Sequence, residues 1–553
     1  MQYDNPYHID MGESSHRLRH RRTLSSTLVD DSVAAAAALV EKWHPDLQAA
    51  SLFLHPDADD EPQRFLRAAA DLHRAMLFFA HDATTSAGGH GLVEAQALLQ
   101  TAMRRLDLEL QLLLRDEQQL GLGLGKGNII RAVADAMMAA GYGKECVSTF
   151  KSRRRAALAA ELQSLLGGLS PSSAGDQFHK LSWDQLEDAG VIPTWVAAAP
   201  VAFDSLFAAE KDLCDAVFEA PVAEAVFAAV AADQAASLVG VAEAAVARAR
   251  RAPERLFRVL DVHDALTESL PALLSVFGDS SEVAGRAALV VAKVGEATRG
   301  ALTSLEAAIH KEPTKATAAG GAVHPLTRYV MNYLVFLADY QQGLAALLTC
   351  DDDGEDDDES SSSPGPRGII TTIIQERLVR ALLGKLEAKA GSYKEVALSY
   401  LFLANNTQYV ANKVAGSGRL RGILGEGWAE EQAAKARAHV DVYVRAAWAK
   451  VTAAMASSMT TTTTTPGGGE AAGVEQAVMA AVGMQDQWVA ADEDTAHALR
   501  AAATAAVVPK YRMFYRRYGA AVKLTPGDVA AMIAALFTGP ASKSNKDGDH
   551  TRL

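Results

Sequence analysis

Apolar residues recur at intervals of three and four along most of the 553-residue chain, which is the pattern of amphipathic helices. The clearest case is Tyr393–Val414, which follows Ser392 and Glu395 at the spacing of a capping box. A second helix is predicted after Glu426. A third begins at Pro325, a residue that suits the first helical turn. Strand-type alternation is rare, so the pattern predicts an all-α protein.

Four further apolar stripes predict helices, and each stripe is followed by a turn or a loop signal. They cover Leu98–Leu114, Ile130–Ala140, Phe203–Val217 and Ile370–Leu386. Consecutive antiparallel helices without a fixed repeat period form irregular bundles. The predicted fold is therefore an elongated rod of stacked antiparallel helical bundles.

Polar and low-complexity segments divide the chain into predicted domains. Two loops, 351–366 and 457–469, are rich in Asp, Ser, Thr, Gly and Pro, and neither can bury enough apolar surface to become ordered. The predicted domains are a disordered basic arm (1–28), an N-terminal helical bundle (29–170), a larger helical domain containing both loops (171–540) and a polar tail (541–553).

Composition narrows the class of protein. Apolar residues make up 49% of the chain and charged residues 22%, an ordinary globular balance. No apolar run is expected to approach the roughly 18–20 residues that span a bilayer, and the N-terminus lacks a signal-type apolar region. Cys146, Cys214 and Cys350 are too far apart for a disulfide framework or a zinc site. We therefore expect a reduced, cytoplasmic protein.

The net charge of −14 is concentrated in one segment, Asp351–Glu359, which contains eight acids. Asp352, Asp353 and Asp356 have the spacing with which helical prenyl-transferring enzymes hold magnesium-bound diphosphate. That chemistry needs carboxylates on a rigid helix, whereas these acids lie among Gly, Ser and Pro. A solvated loop is the preferred interpretation, and a magnesium-dependent prenyl-transferring enzyme is a remote alternative.

Two other patterns resemble functional motifs only in part. Gly121–Gly127 lacks the Ser or Thr that must follow Lys126 in a phosphate-binding loop, so a linker between helices is preferred. His16 and His20 have helical metal-pair spacing but no third ligand, and they lie in the basic arm. We predict no catalytic residue, no metal site and no cofactor.

A basic cluster near the C-terminus is the candidate site. Five cations lie within fourteen residues, with no acid between the first and the last, and aromatic residues alternate with them. In an acidic chain this pattern is typical of contact with anionic lipid headgroups, while a solvated helix face above core aromatics is the alternative. The candidate lipid-binding residues are Lys510, Arg512, Arg516, Arg517 and Lys523.

Seven segments, in order, carry a resemblance to a known family. They include Ile130–Cys146, Trp183–Glu187, Ala252–Phe257, His324–Tyr333 and, most specifically, Leu401-Phe-Leu-Ala-Asn-Asn406. Together they resemble the seventy-kilodalton subunit family of the exocyst, in its plant form. The chain is similar to a divergent plant paralogue of that family.

The resemblance implies a non-catalytic subunit of a vesicle-tethering complex that docks secretory vesicles, cytoplasmic and peripheral at the plasma membrane. Its implied partners are other exocyst subunits, a phosphoinositide membrane surface, and small GTPases or immune-related proteins, but no nucleic acid. The resemblance also aligns Lys523–Pro526 with the family's C-terminal basic element, and Arg516 or Arg517 with the Arg ahead of it. A specialised adaptor that no longer joins the complex is the alternative.

Overall fold

The computed structural model describes residues 28–47, 50–54, 60–81, 86–116, 124–168, 182–348, 366–460, 468–519 and 521–538. Within these ranges all regular structure is helical, so the all-α prediction is confirmed. The basic arm with His16 and His20, the aspartates of 351–359 and the tail after residue 538 lie outside the described residues.

The helices are numbered here in chain order. They are α1 (28–42), α2 (Glu61–His81), α3 (Ser86–Asp116), α4 (Leu124–Ala139), α5 (Gly143–Leu165), α6 (Trp183–Asp188), α7 (Val191–Val201), a π-helix (Ala202–Phe207), α8 (Ala208–Val217), α9 (Ala220–Ala249), α10 (Leu256–Phe277), α11 (Glu282–Lys311), α12 (Pro325–Asp339), α13 (Gln341–Leu348), α14 (Pro366–Ala390), α15 (Val396–Gly416), α16 (Gly418–Leu424), α17 (Trp428–Ala447), α18 (Ala449–Thr460), α19 (Gly468–Met484), α20 (Glu493–Tyr518) and α21 (Pro526–Ala534).

Some predicted helix boundaries are wrong. The predicted capping box of α15 is absent: the helix starts at Val396, and its N-cap Glu395 makes no side-chain capping bond. The Ser392 hydroxyl lies 3.4 Å from the Thr314 carbonyl oxygen instead. Pro325 does open α12, as predicted.

Three segments that were predicted as loops or linkers are partly helical. Ser457–Thr460 completes α18, where the Ser458 hydroxyl donates to the Ala454 carbonyl at 2.6 Å, and α19 resumes at Gly468. Leu124–Gly127, predicted as a linker, forms the first turn of α4, and Pro366 opens α14. The remaining parts of these loops lie outside the described residues.

Backbone contacts divide the chain into two units, residues 1–248 with 264–290, and residues 249–263 with 291–553. The predicted domain boundary near residue 170 lies outside the described residues. In the first unit α3 packs against α2, α4 and α5. A buried ion pair joins α5 to α8, with Arg154 Nη2 2.6 Å from Glu210 Oε2.

The first unit also contains two helical stretches, Val191–Val217 and Ala220–Ala249, that are long and apolar enough to cross a membrane by length and composition. The prediction that no apolar run approaches this length is therefore wrong. Within the most apolar 18 residues of each stretch, 44% and 61% of the residues are buried. The Trp195 indole N–H of α7 donates to the Leu238 carbonyl of α9 at 2.8 Å, so they pack on each other as core helices do.

The second unit is built around α15, which packs most extensively on α17. Two fully buried asparagines on α15, Asn405 and Asn406, bind two loops. Asn406 accepts from the His324 backbone N–H at 2.9 Å and from the Thr327 hydroxyl at 2.7 Å. Its amide nitrogen donates to the carbonyls of Ala322 and Phe402. All four hydrogen-bonding positions of the Asn406 side chain are thus occupied.

Asn405 connects the same loop to a second loop that precedes α20. Its amide nitrogen donates to Gly321 O at 2.7 Å and to Val489 O at 2.8 Å, and its oxygen accepts from the Ala491 N–H at 2.9 Å. Gly320, at φ +62°, packs so closely that a Cβ would lie 2.5 Å from the Gln487 carbonyl oxygen. Only glycine satisfies both the conformation and the contact.

His324 links this loop to the start of α12. Its Nδ1 accepts the Leu326 N–H at 3.1 Å, so Nε2 carries the ring proton and lies 3.2 Å from the Ala316 carbonyl oxygen. The same carbonyl accepts from buried Lys389 at 2.7 Å. Burial, and then the nearby Lys389 cation, lower the pKa of His324.

Replacing Asn406 with Ala should lower the free energy of unfolding by roughly 2–3 kcal/mol, because it leaves the buried His324 N–H and Thr327 hydroxyl without partners. The midpoint of urea unfolding at unchanged slope measures this loss. Asn412→Ala is the control: Asn412 lies on the same helix and is exposed, and its two side-chain hydrogen bonds, from Gln408 at 2.8 Å and to Asp492 at 3.4 Å, are both at the surface. Its change should stay within about 0.5 kcal/mol. Equal losses of stability in the two variants would contradict a special role for the buried hydrogen bonds of Asn406.

Stability should fall as the pH drops below about 6.5, the pKa of an unfolded histidine. The pKa of His324 is lower in the folded state, so the folded state binds fewer protons than the unfolded state. The stability that comes from a neutral His324 is therefore fully present above pH 6.5, and it is lost as the pH falls toward the folded pKa. His324→Asn keeps a capping oxygen that does not titrate. Unfolding midpoints between pH 7.5 and 5 should fall less steeply in this variant. Parallel curves would show that His324 is not the group responsible.

Candidate lipid-binding surface

Helix α20 carries four of the five predicted site residues. Its N-cap is Asp492, whose carboxylate accepts the Thr495 N–H at 2.7 Å. Asp492 directly follows Ala491, which Asn405 binds. The asparagine contacts of α15 therefore fix the start of the helix that bears the site.

The aromatic residues of the cluster form the buried face of α20. Tyr511, Phe514 and Tyr518 are at most 2% exposed, and neighbouring rings lie 5.7 and 4.9 Å apart. The Tyr511 hydroxyl donates to the Leu524 carbonyl at 3.1 Å, and burial raises its pKa to about 12. The opposite face of the helix is consequently turned to solvent.

All five predicted cations, Lys510, Arg512, Arg516, Arg517 and Lys523, are exposed. At 3.6 residues per turn, the four on α20 form two rows about 130° apart. Arg512 and Arg516 make one row, and Lys510 and Arg517 make the other. We call these five residues the basic surface.

Arg517 has a structural contact that the sequence did not reveal. Its Nη1 donates to the Met459 carbonyl at 2.9 Å, and its guanidinium lies 5.6 Å from the centre of the Tyr518 ring. The Met459 carbonyl belongs to the last turn of α18, where unsatisfied carbonyls favour a cation. Arg517 therefore helps to join α20 to α18.

Lys523 lies in the turn between α20 and α21, and a carboxylate of α19 positions it. Glu475 accepts the backbone N–H groups of both Lys523 and Leu524, the latter at 2.6 Å. Thr525 then opens α21 with a reciprocal capping box to Asp528. The role of Glu475 was not predictable from the local sequence, because this pairing depends on how α19 packs.

Carboxylates divide the basic surface into two parts. The Glu475 carboxylate accepts the backbone N–H of Lys523. The Glu470 carboxylate accepts the Tyr518 hydroxyl at 2.8 Å, and Tyr518 is the residue next to Arg517. The other three side chains, those of Lys510, Arg512 and Arg516, make no hydrogen bond or ion pair with any residue that the structure describes. These three cations are the part of the surface available to an anionic ligand.

Three further features of the described residues bear on where a site could lie: metal-ligand clusters, cysteines and a cavity. Nowhere in the described ranges do three or more His, Cys, Asp or Glu side chains come together to hold a metal ion. Cys146 and Cys214 are buried, which raises the pKa of each thiol to about 12. An open cavity of about 1030 Å³ between α3 and α5 is lined by both signs of charge, including Arg104, Asp107 and Lys144.

Comparisons with known proteins match most of the chain. Residues 193–535 match the family model for the C-terminal region of the Exo70 exocyst complex subunit, and residues 32–116 match the model for the Exo70 N-terminal region. Three Arabidopsis thaliana proteins are similar. Exocyst complex component EXO70C2 is 30% identical over 75% of this chain and 61% of its own length. EXO70B1 is 34% identical over 59% of this chain and 50% of its own length. EXO70B2 is 33% identical over 70% of this chain and 63% of its own length.

The chain therefore spans between half and about five-eighths of the length of these relatives. Its fold is similar to the crystal structure of the Saccharomyces cerevisiae exocyst component Exo70p. The TM-score is 0.56 at 12% identity, over 91% of this chain and 99% of the yeast chain. A second yeast Exo70 structure gives a TM-score of 0.53 at 13% identity, over 91% of this chain and 98% of that one.

Proposed function

The chain belongs to the Exo70 family of exocyst subunits, and from this membership we propose that it acts in a vesicle-tethering complex at the plasma membrane. Exo70 proteins are non-catalytic subunits, which agrees with the prediction that this chain is not an enzyme. The aspartates behind the prenyl-transfer alternative, Asp352, Asp353 and Asp356, lie outside the described residues. In this proposal the partners are other exocyst subunits and a phosphoinositide-containing bilayer.

The observation that supports lipid contact is the set of exposed, unpaired cations on α20. Lys510, Arg512 and Arg516 make no contact with a carboxylate among the described residues, although the chain as a whole carries a net charge of −14. Each cation near an anionic leaflet contributes about 1 kcal/mol of attraction. The three together give useful binding that salt weakens, since exposed charges are screened over roughly 8 Å at physiological ionic strength.

Membership of the complex is tested by purifying the tagged protein from native tissue and identifying the proteins that accompany it. Recovery of the other exocyst subunits is the expected result. If the protein is recovered intact without any of them, the adaptor interpretation replaces the tethering one. An unrelated tagged protein at the same abundance controls for adventitious capture.

Lipid contact is tested by changing Lys510, Arg512 and Arg516 together to Glu. The change should weaken sedimentation with bisphosphoinositide liposomes more than a hundredfold, since at least three attractions of about 1 kcal/mol each are lost. Arg517 and Lys523 are left intact because their surroundings are structural: Arg517 binds the α18 terminus, and Glu475 holds the Lys523 backbone. The unfolding midpoint should not change, because exposed charges contribute little to stability.

The matched control has the same change of net charge on other helices. Arg437, Arg445 and Lys450 are exposed on α17 and α18. Their replacement by Glu should leave liposome binding within about twofold, because only charges near the contact are felt through physiological salt. Equal loss in both triple variants would mean that net charge, rather than the basic surface, governs binding. Full binding by the first variant would refute the site.

A further inference from the structure

One exposed apolar side chain lies within the basic surface. Met513 is 60% exposed on the solvent face of α20. It follows Lys510 by three residues and precedes Arg516 by three and Arg517 by four. Residues three and four apart are surface neighbours on a helix, with Cβ atoms about 5–6 Å apart. Met513 is therefore bordered by three cations and lies between their two rows.

A second exposed methionine lies beside the same cations. Met459, in the last turn of α18, is 38% exposed, and its carbonyl accepts the 2.9 Å hydrogen bond from Arg517. Arg517 thus holds the end of α18 next to the solvent face of α20. The buried face of α20 is formed by Tyr511, Phe514 and Tyr518, and neither methionine belongs to this hydrophobic core.

This arrangement suits the interface of an anionic bilayer. Basic side chains bind phosphates at headgroup level, while an apolar side chain between them reaches the acyl boundary beneath. Methionine is unbranched and flexible, so it adapts to a disordered environment. A free inositol phosphate would engage the cations but would leave the apolar side chain in water.

We propose that Met513, assisted by Met459, inserts into the interfacial region of an anionic phosphoinositide-containing bilayer while the surrounding cations hold its headgroups. The charge pattern selects a bilayer as the occupant: from Lys510 to Lys523 the sequence contains five cations and no acid. This inference rests on the proposed lipid contact and adds an apolar component to it. That component does not depend on salt, whereas the headgroup component does.

The experiment measures partitioning onto phosphatidylcholine vesicles containing phosphatidylinositol 4,5-bisphosphate, at several salt concentrations, with the full chain. Met513→Gln should reduce the partition coefficient roughly tenfold at every salt concentration, since most of a methionine side chain then stays out of the acyl boundary. The slope of binding against salt should not change. Met513→Leu, which remains apolar, is the matched control and should bind like the unaltered protein.

A second arm measures binding of soluble inositol 1,4,5-trisphosphate, which Met513→Gln should leave unchanged. A third arm uses Met513→Trp, which places a fluorescent side chain at the site. Lipids brominated near the acyl boundary should quench the fluorescence of this tryptophan, and the unaltered protein with its six native tryptophans gives the background quenching. Such quenching reports on depth and is independent of affinity.

The outcomes separate this inference from the function on which it rests. If the unaltered protein does not bind vesicles, the lipid contact and the insertion both fail. If the Lys510, Arg512 and Arg516 reversal abolishes binding but Met513→Gln binds normally, only the insertion fails. Equal weakening of vesicle and trisphosphate binding by Met513→Gln would assign Met513 a role in shaping the cation site. Loss of a protein partner with normal vesicle binding would make Met513 a protein contact, which also overturns the proposal.

Discussion

The hydrogen bonds of Asn405 and Asn406 hold the second unit together at the point where its loops meet. One helix turn of α15 binds the loop before α12 and the first turn of α12 through four backbone or hydroxyl groups, and binds the loop before α20 through two more. Loops carry backbone groups that must be satisfied when they are buried, and side-chain amides can donate and accept at once. The two asparagines therefore set where α12 and α20 begin. The position of the basic surface follows from this.

Sequence reasoning recovered the helices well because apolar periodicity records which side of a helix is buried. It identified the Leu401–Asn406 segment as the most specific sign of the family, but gave no reason for the two asparagines, since their partners lie about 80 residues away in either direction. The capping prediction at Ser392 failed for a related reason. Its hydroxyl contacts the carbonyl of Thr314, which local sequence does not show.

The candidate site was predictable in composition but not in organisation. The alternation of cations and aromatics correctly separates a buried face from an exposed one, and all five cations are exposed. The differences between the surroundings of these five cations were not predictable from the sequence. Arg517 binds a helix terminus, Lys523 lies in a turn that Glu475 holds through its backbone, and the other three cations make no hydrogen bond or ion pair with a described residue. These differences come from the packing of α18 and α19 on α20, which a pattern along one helix does not contain.

The attachment of α20 at both ends has a mechanical consequence. Asn405 holds the residue before its N-cap, and Glu475 holds the turn after its last residue. A membrane that pulls on the exposed face would therefore strain the helix between two anchored ends, and the tension would pass into α15 and α19 instead of peeling a terminus free. Bonds that share a load across a rigid element rupture together and at higher force than bonds opened one at a time.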